Sequence, residues 1–202
     1  YHLVLLAENN AGYQNLMKLV SIAHVDGFYV KPRIDKRTLR KYSEGLICLS
    51  ACIAGEIPTH ILNDDIDSAK MAIEEYISIF GKENFFLEVQ NHEIADEAKV
   101  NTHLINFARE YGLGLVATND VHYVEKRDSK FQDVLMCVQT GKKITDVDRM
   151  KFETNEMYLK SNEEMNWAFK NLPTAIENTI KIADMCNVDL EFGKYHLPEF
   201  KL

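Results

Sequence analysis

Four short apolar runs, His2–Ala7, Leu46–Cys52, Phe85–Gln90 and Leu113–Asn119, punctuate the first part of the chain, and none alternates cleanly between apolar and polar positions. Strands covered on both faces read this way, because neither side of the pleat meets water. Between the runs, apolar residues recur at helical spacing. Leu16, Leu19, Val20 and Ala23 make one stripe; Ile66, Ala69, Ile73, Tyr76, Ile77 and Phe80 make a second. Leu104, Phe107, Ala108 and Tyr111 make a third, which Gly112 is placed to end. Strands alternating with helices predict βαβ units and an α/β fold, either a doubly wound sheet or part of a β/α barrel. In both, chemistry gathers at the carboxyl ends of the strands.

After Tyr123 the pattern changes. Residues 129–140 put Phe131, Val134, Leu135 and Val138 on one helical face, with Gly141 beyond, and a polar stretch follows over 142–160. Ser161-Asn162-Glu163-Glu164 reads as a capping box opening a helix that contains Trp167 and Phe169. Pro173 suits the first position of a last helix through Ile176, Ile180 and Ala183. The expected division falls near residue 125, with a β/α part over 1–125 and a small helical extension over 126–202.

Composition narrows the function classes. The chain of 202 residues is 46% hydrophobic and 27% charged, an ordinary globular balance with room for one core and a helical appendage. Its 23 basic and 31 acidic residues give a net charge of −8, which excludes a uniform nucleic-acid-binding coat but leaves room for a local basic patch. Cys48, Cys52, Cys137 and Cys186 show no CxxC pairs, and no signal peptide is visible, so a reducing cytoplasm is predicted. No apolar run reaches the roughly 18 residues of a membrane span. The chain enters at Tyr1 directly on an apolar run and reads as a piece of something longer.

Chemistry concentrates at the strand ends. In Ala117-Thr118-Asn119-Asp120-Val121-His122-Tyr123, strand alternation throws Asp120 and His122 to the same side. A carboxylate and an imidazole converging there suit a divalent metal such as zinc or manganese. The plainer reading is a strand end with a turn-forming Asn-Asp and an incidental histidine. Cys52 ends its own run in the equivalent place, as a ligand or as core, while Cys48 is core. His92 closes Phe85-Phe-Leu-Glu-Val-Gln-Asn-His as a ligand, a phosphate contact, a support for ligands or a loop histidine. Glu88, inside the same run, is paired, serves the site, or faces solvent at a sheet edge. His2 can join the others only if its strand runs antiparallel. His24, His60 and His103 fall in or beside helical patterns as surface or packing residues, and His196 sits in the tail.

Residues 29–42 carry six basic side chains and one acid between Tyr29 and Tyr42. Lys31, Arg33, Lys36 and Arg37 could track a nucleic-acid backbone, or the run is a solvated face. No Gly-rich phosphate loop and no Ser-His-Asp arrangement are readable.

Taken in order, several stretches resemble the polymerase-and-histidinol-phosphatase (PHP) domain at the amino end of bacterial replicative DNA polymerases. They are His2-Leu-Val-Leu-Leu-Ala with Gly12-Tyr-Gln-Asn-Leu, Gly27-Phe-Tyr-Val-Lys-Pro-Arg-Ile-Asp, and Leu49-Ser-Ala-Cys-Ile-Ala-Gly-Glu-Ile. Further ones are Phe86-Leu-Glu-Val-Gln-Asn-His, Ala117-Thr-Asn-Asp-Val-His-Tyr, Asn178-Thr-Ile-Lys-Ile-Ala, Cys186-Asn-Val and Tyr195-His-Leu-Pro-Glu-Phe. The resemblance implies part of a distorted β/α barrel with a polynuclear metal site at its strand ends. It aligns His2, Cys52, Asp120 and His122 with family ligands, makes Asp120 and His122 the catalytic pair, and puts His92 behind the ligands. The remaining family ligands, a His-x-His strand and later Asp, His and Glu positions, correspond to sequence before Tyr1. This chain is therefore expected to hold part of the barrel and part of the ligand set, with exposed strand edges.

For an intact domain the resemblance implies metal-dependent phosphodiester hydrolysis as a 3′→5′ exonuclease, using zinc or manganese. The parent would be a DNA-directed DNA polymerase of the cytoplasm, with magnesium in its polymerase domain and DNA and other holoenzyme subunits as partners. No membrane is involved, and the isolated fragment is expected to be inactive. The alternative is a non-catalytic scaffold that docks subunits in the same polymerase. A free-standing phosphoesterase is the third reading, although it would not need the helices at 161–187 and the tail His196-Leu-Pro-Glu-Phe, which resemble the stretch leading to a polymerase palm.

Overall fold

The computed structural model describes residues 1–195, 197, 198 and 200; His196 and Glu199 of the tail motif lie outside the described residues. The four apolar runs form one sheet of strands β1 (Val4–Ala7), β2 (Leu46–Leu49), β3 (Phe85–Val89) and β4 (Gly114–Ala117), in that spatial order. Strands β2, β3 and β4 are parallel, with Cys48 beside Phe85 and Glu88 beside Val116. Strand β1 is antiparallel to β2, with Val4 opposite Leu49 and Ala7 opposite Leu46. That is the orientation His2 requires.

Helices α1 (Asn10–Val25), α2 (Lys36–Lys41), α3 (Glu56–Leu62), α4 (Ile66–Phe80) and α5 (Ala95–Tyr111) connect the strands. Alternation across each strand sends Leu46, Cys48, Phe85, Leu87 and Val89 into a core shared with Leu39 of α2, Ile61 of α3, Ile73 of α4 and Leu104 of α5. Ile47, Leu49, Phe86 and Val116 point the other way and meet Ile182 of α8 (Pro173–Met185). Both faces are covered, which is why the strands are apolar throughout. The open four-stranded α/β sheet fits a section of a β/α barrel.

Local chemistry sets the helix limits. Asn9, Asp35 and Asp65 each accept from a backbone N–H three residues on and so cap α1, α2 and α4. The third stripe ends where Gly112 turns left-handed (φ 67°), and α6 (Ser129–Thr140) ends likewise at Gly141. Ser161 and Glu164 form the expected capping box on α7 (Asn162–Ala168), and Pro173 opens α8. Helix α1 meets the turn before β2 so closely that a Cβ on Gly12 would stand 1.8 Å from the Gly45 carbonyl oxygen.

Residue 125 marks a change of element type, yet the main core runs across it, since Phe169 and Ala175 are buried there. The helix predicted over 129–140 is present as α6, and its apolar face is turned to solvent. Phe131 is 58% exposed and Val138 74%, with Val134 and Leu135 exposed between them, while Met136 and Cys137 are the buried pair. Among the described residues nothing packs on that stripe. No helix among the described residues is long and apolar enough to cross a membrane, and all four cysteines are free thiols.

Candidate metal centre

Strands β2, β3 and β4 each run into a non-glycine residue in the left-handed region: Ala51 (φ 65°), Glu93 (φ 61°) and Asp120 (φ 42°). Each such residue costs about 1–3 kcal/mol, and such strain collects at functional sites. All three stand at the carboxyl end of the sheet.

Cys52 follows β2 and His2 precedes β1, so the antiparallel pairing brings them together, with Cys52 Sγ 3.7 Å from His2 Nδ1. The His2 backbone is pinned by its N–H, which donates to the Ala54 carbonyl at 3.0 Å. The turn that carries Ala54 is close-packed; a Cβ on Gly55 would stand 2.3 Å from the Ser50 carbonyl oxygen. Burial pushes the Cys52 thiol up against a countering Ala54 amide, and the charges of Asp120 and Glu88 push it the same way as burial. Cys52 and Glu88 line one small cavity together with Gln90 and Glu97.

Asp120 and His122 do come together, but not by strand alternation. Strand β4 stops at Ala117, and Asp120 lies in a left-handed turn beyond it. There His122 Nδ1 donates to the Asp120 backbone carbonyl at 2.7 Å, and its nearest approach to the Asp120 carboxylate is 3.9 Å. A carbonyl oxygen only accepts, so Nδ1 carries a proton in this bond, which leaves Nε2 as the ring nitrogen open to a metal. Phe152 packs edge-on against the ring at 4.8 Å.

By type, a thiol, two imidazoles and a carboxylate fit a zinc- or manganese-like ion. As arranged, they stand as two pairs, and among the described residues no group of three or more His, Cys, Asp and Glu is disposed to hold one.

Behind the pairs lie buried polar groups. Glu88 is 6% exposed, so the solvent-facing reading fails. Its Oε1 accepts from Thr118 Oγ1 at 2.5 Å and Gln90 Nε2 at 3.1 Å. Its Oε2 makes no hydrogen bond; the Ala51 N–H favours the charged form without reaching bonding geometry. Burial pushes this carboxyl up, and the charge of Asp120 adds to the effect. His92 is fully buried, with Nδ1 2.6 Å from Glu97 Oε1 and Nε2 2.7 Å from the Asn119 carbonyl oxygen. Burial alone would lower this imidazole, but the bonds to Glu97 and Asn119 outweigh it and hold it above its ordinary value. Asn119 also donates to the Tyr158 carbonyl at 2.6 Å and accepts from Lys160 Nζ at 3.2 Å.

Sequence reasoning missed Glu97, Asn119, Tyr158 and Lys160. Glu97 stands in the first turn of α5 and was legible only as a helix-start acid. Lys160 is 41 positions from Asn119, and no local pattern announces that contact.

In the basic segment Lys31, Arg33 and Arg37 are exposed, with the Arg33 guanidinium 5.3 Å from the centre of the Tyr29 ring. Lys36 is withdrawn from the set. Its Nζ binds Glu56 at 2.8 Å and Glu75 at 2.7 Å and lies over Tyr76. Arg33 and His2 line one cleft of about 420 Å³. His24, His60 and His103 take helix-surface or packing contacts: to the Val20 carbonyl, to Tyr1 and Asp65, and to Phe107.

A family model of the PHP domain matches residues 1–92, the part that carries β1 to β3, His2, Cys52 and His92. Residues 1–92 are thus similar to the PHP domain family. Similarity to curated proteins extends further and covers the whole chain. The DNA polymerase III subunit alpha of Borreliella burgdorferi is 49% identical over 203 residues, covering 100% of this chain and 18% of the relative. The same subunit from Thermus aquaticus is 46% identical over 211 residues, and that from Treponema pallidum 47% over 202, each covering 100% of this chain and 17% of the relative. The chain thus spans less than a fifth of the length of these relatives. The PHP fold is related to the TIM barrel, and the open four-stranded sheet fits part of one.

Proposed function

We propose that this chain is the carboxyl part of the PHP barrel (1–125) and a helical extension (126–202) within a replicative DNA-directed DNA polymerase of the DNA polymerase III alpha kind. In the intact domain it contributes to a metal-dependent 3′→5′ exonuclease site. The observation that carries the reading is the meeting of Cys52 and His2 at 3.7 Å on the mouth where Asp120 and His122 also converge. Four ligand-type side chains from separate parts of the chain share one end of the sheet.

His2 with Cys52, and Asp120 with His122, would each supply a pair of ligands to a site for divalent ions, zinc or manganese, completed by donors outside this chain. The chemistry such an ion supplies is activation of water and neutralisation of phosphate charge. The chain's own part is positional. His122 offers Nε2 because Nδ1 is tied to the Asp120 carbonyl, and Arg33 lines the same cleft as His2, with its charge available to a phosphate there. DNA and other DNA polymerase III holoenzyme subunits are the partners, magnesium serves the polymerase domain, and the cytoplasm is the location.

A second reading makes the domain a scaffold that docks subunits. The uncovered stripe of α6 favours it. One experiment separates the two: metal content and release of nucleotides from single-stranded DNA by the full-length protein, beside an Asp120→Ala, His122→Ala variant. The nuclease reading expects both signals to fall in the variant. Undiminished hydrolysis would leave the scaffold.

A further inference from the structure

Asp120 stands at φ 42°, a conformation that persists for a non-glycine residue only where its surroundings over-determine it. Within the turn itself, one bond, from His122 Nδ1 to the Asp120 carbonyl, helps to fix it. The residue before it is held far more firmly. The Asn119 carbonyl accepts from His92 Nε2 at 2.7 Å, its amide donates to the Tyr158 carbonyl at 2.6 Å, and its Oδ1 accepts from Lys160 Nζ at 3.2 Å.

We propose that Glu97, His92 and Lys160 are positioning residues that clamp Asn119 and so aim the adjoining Asp120 and His122, which makes the segment 156–160 part of the site. The proposal rests on the reading of Asp120 and His122 as metal ligands.

The clamp closes from two directions. On one side, Glu97 holds His92 twice, at the ring through Oε1 on Nδ1 at 2.6 Å and at the backbone through Oε2, which accepts the His92 N–H at 2.7 Å. The ring cannot rotate without losing the Glu97 bond. Its Nε2 must carry a proton, because the Asn119 carbonyl can only accept. Both ring nitrogens are committed, so His92 serves the ligands without being one. On the other side, the Lys160 side chain is 6% exposed, a costly place for an ammonium unless its neighbours are polar. Those neighbours are Asn119 Oδ1, the Glu156 backbone carbonyl and the Glu156 carboxylate at 3.7 Å. A lysine kept only for solubility would reach into water. The same segment receives the His122 and Tyr123 N–H groups on the Met157 carbonyl, at 2.9 and 3.4 Å. The turn bearing Asp120 and His122 is thus strung between the start of α5 and residues 156–160.

The test uses the full-length protein with Lys160→Met, which keeps the buried stem, Lys160→Arg, which restores a donor, and Glu97→Gln. Hydrogen exchange of the His122 and Tyr123 amides should accelerate about tenfold or more in Lys160→Met, with β4 amides unchanged, and return toward the parent in Lys160→Arg. Glu97→Gln should give a smaller acceleration at the same amides. Cobalt(II) titration, followed by thiolate-to-cobalt absorption, should show affinity weakened about tenfold in Lys160→Met. Unchanged exchange at His122 and Tyr123 overturns the clamp, and so does acceleration that spreads through β4, which would make Lys160 a general folding residue. A parent that binds no cobalt while the exchange result holds defeats the metal reading and leaves the clamp standing.

Discussion

Asn178 Nδ2 donates to the Leu115 carbonyl at 2.7 Å, and Leu115 lies on β4, the end strand of the sheet. An end strand presents unpaired carbonyls to any chain that approaches it. Helix α8 packs along β4 and covers this one. Asn178→Ala removes the donor and leaves a half-buried acceptor to find water. It should lower stability by about 1 kcal/mol, read as a lower urea midpoint with an unchanged slope. An unmoved midpoint would show that the packing of Ile182 alone secures the helix.

Glu88 sets a pH dependence. Burial holds its folded pKa above the unfolded value, so the folded state keeps this proton more tightly. Its contribution is therefore favourable below the unfolded range and is lost as pH rises through the raised value. Glu88→Gln, which keeps an acceptor for Thr118 and Gln90, should stabilise the protein at about pH 7, and the gain should shrink toward about pH 4. Urea midpoints at the two pH values give the comparison. A gain of equal size at both would place the ionisation elsewhere.

Much of this architecture was legible because it is local. Strands covered on both faces, the Ser161–Glu164 capping box, Pro173 and the glycine stops each follow from neighbouring residues, and the structure has them where the pattern put them. The antiparallel β1 could be posed as a requirement from His2 but not proved without its partner strand. What stayed hidden was long-range. Nothing near Lys160 announces Asn119, and nothing in the stripe Phe131–Val138 says whether another surface covers it. The Asp-x-His pattern put Asp120 and His122 close together, as they are, but a left-handed turn rather than a pleat joins them.

The basic segment should divide by residue. Lys31, Arg33 and Arg37 are free to meet phosphate, whereas Lys36 is engaged by Glu56 and Glu75. Neutralising the first three with Gln should weaken single-stranded DNA binding by the full-length protein and flatten its salt dependence by about 0.7 for each phosphate left without its cation. Lys36→Met should instead cost about 1 kcal/mol of stability with little change in the salt slope. Equal effects of all four on the slope would mean that the Lys36 ion pairs open when DNA binds.

The uncovered stripe of α6 predicts how the isolated chain behaves. Phe131, Val134, Leu135 and Val138 recur at helical spacing on one exposed face, and a contiguous apolar strip of this kind seeks a partner. The 202-residue chain alone should therefore self-associate with rising concentration in sedimentation velocity. Leu135→Lys with Val138→Glu should hold it monomeric, and because both positions face solvent the thermal midpoint should shift by the equivalent of only about 0.5 kcal/mol. If association persists in that variant, the free edge of β1 becomes the contact. A charge placed outward on that edge strand should then abolish association where the helix substitutions failed, because edge pairing runs through backbone groups that a lysine on α6 does not touch.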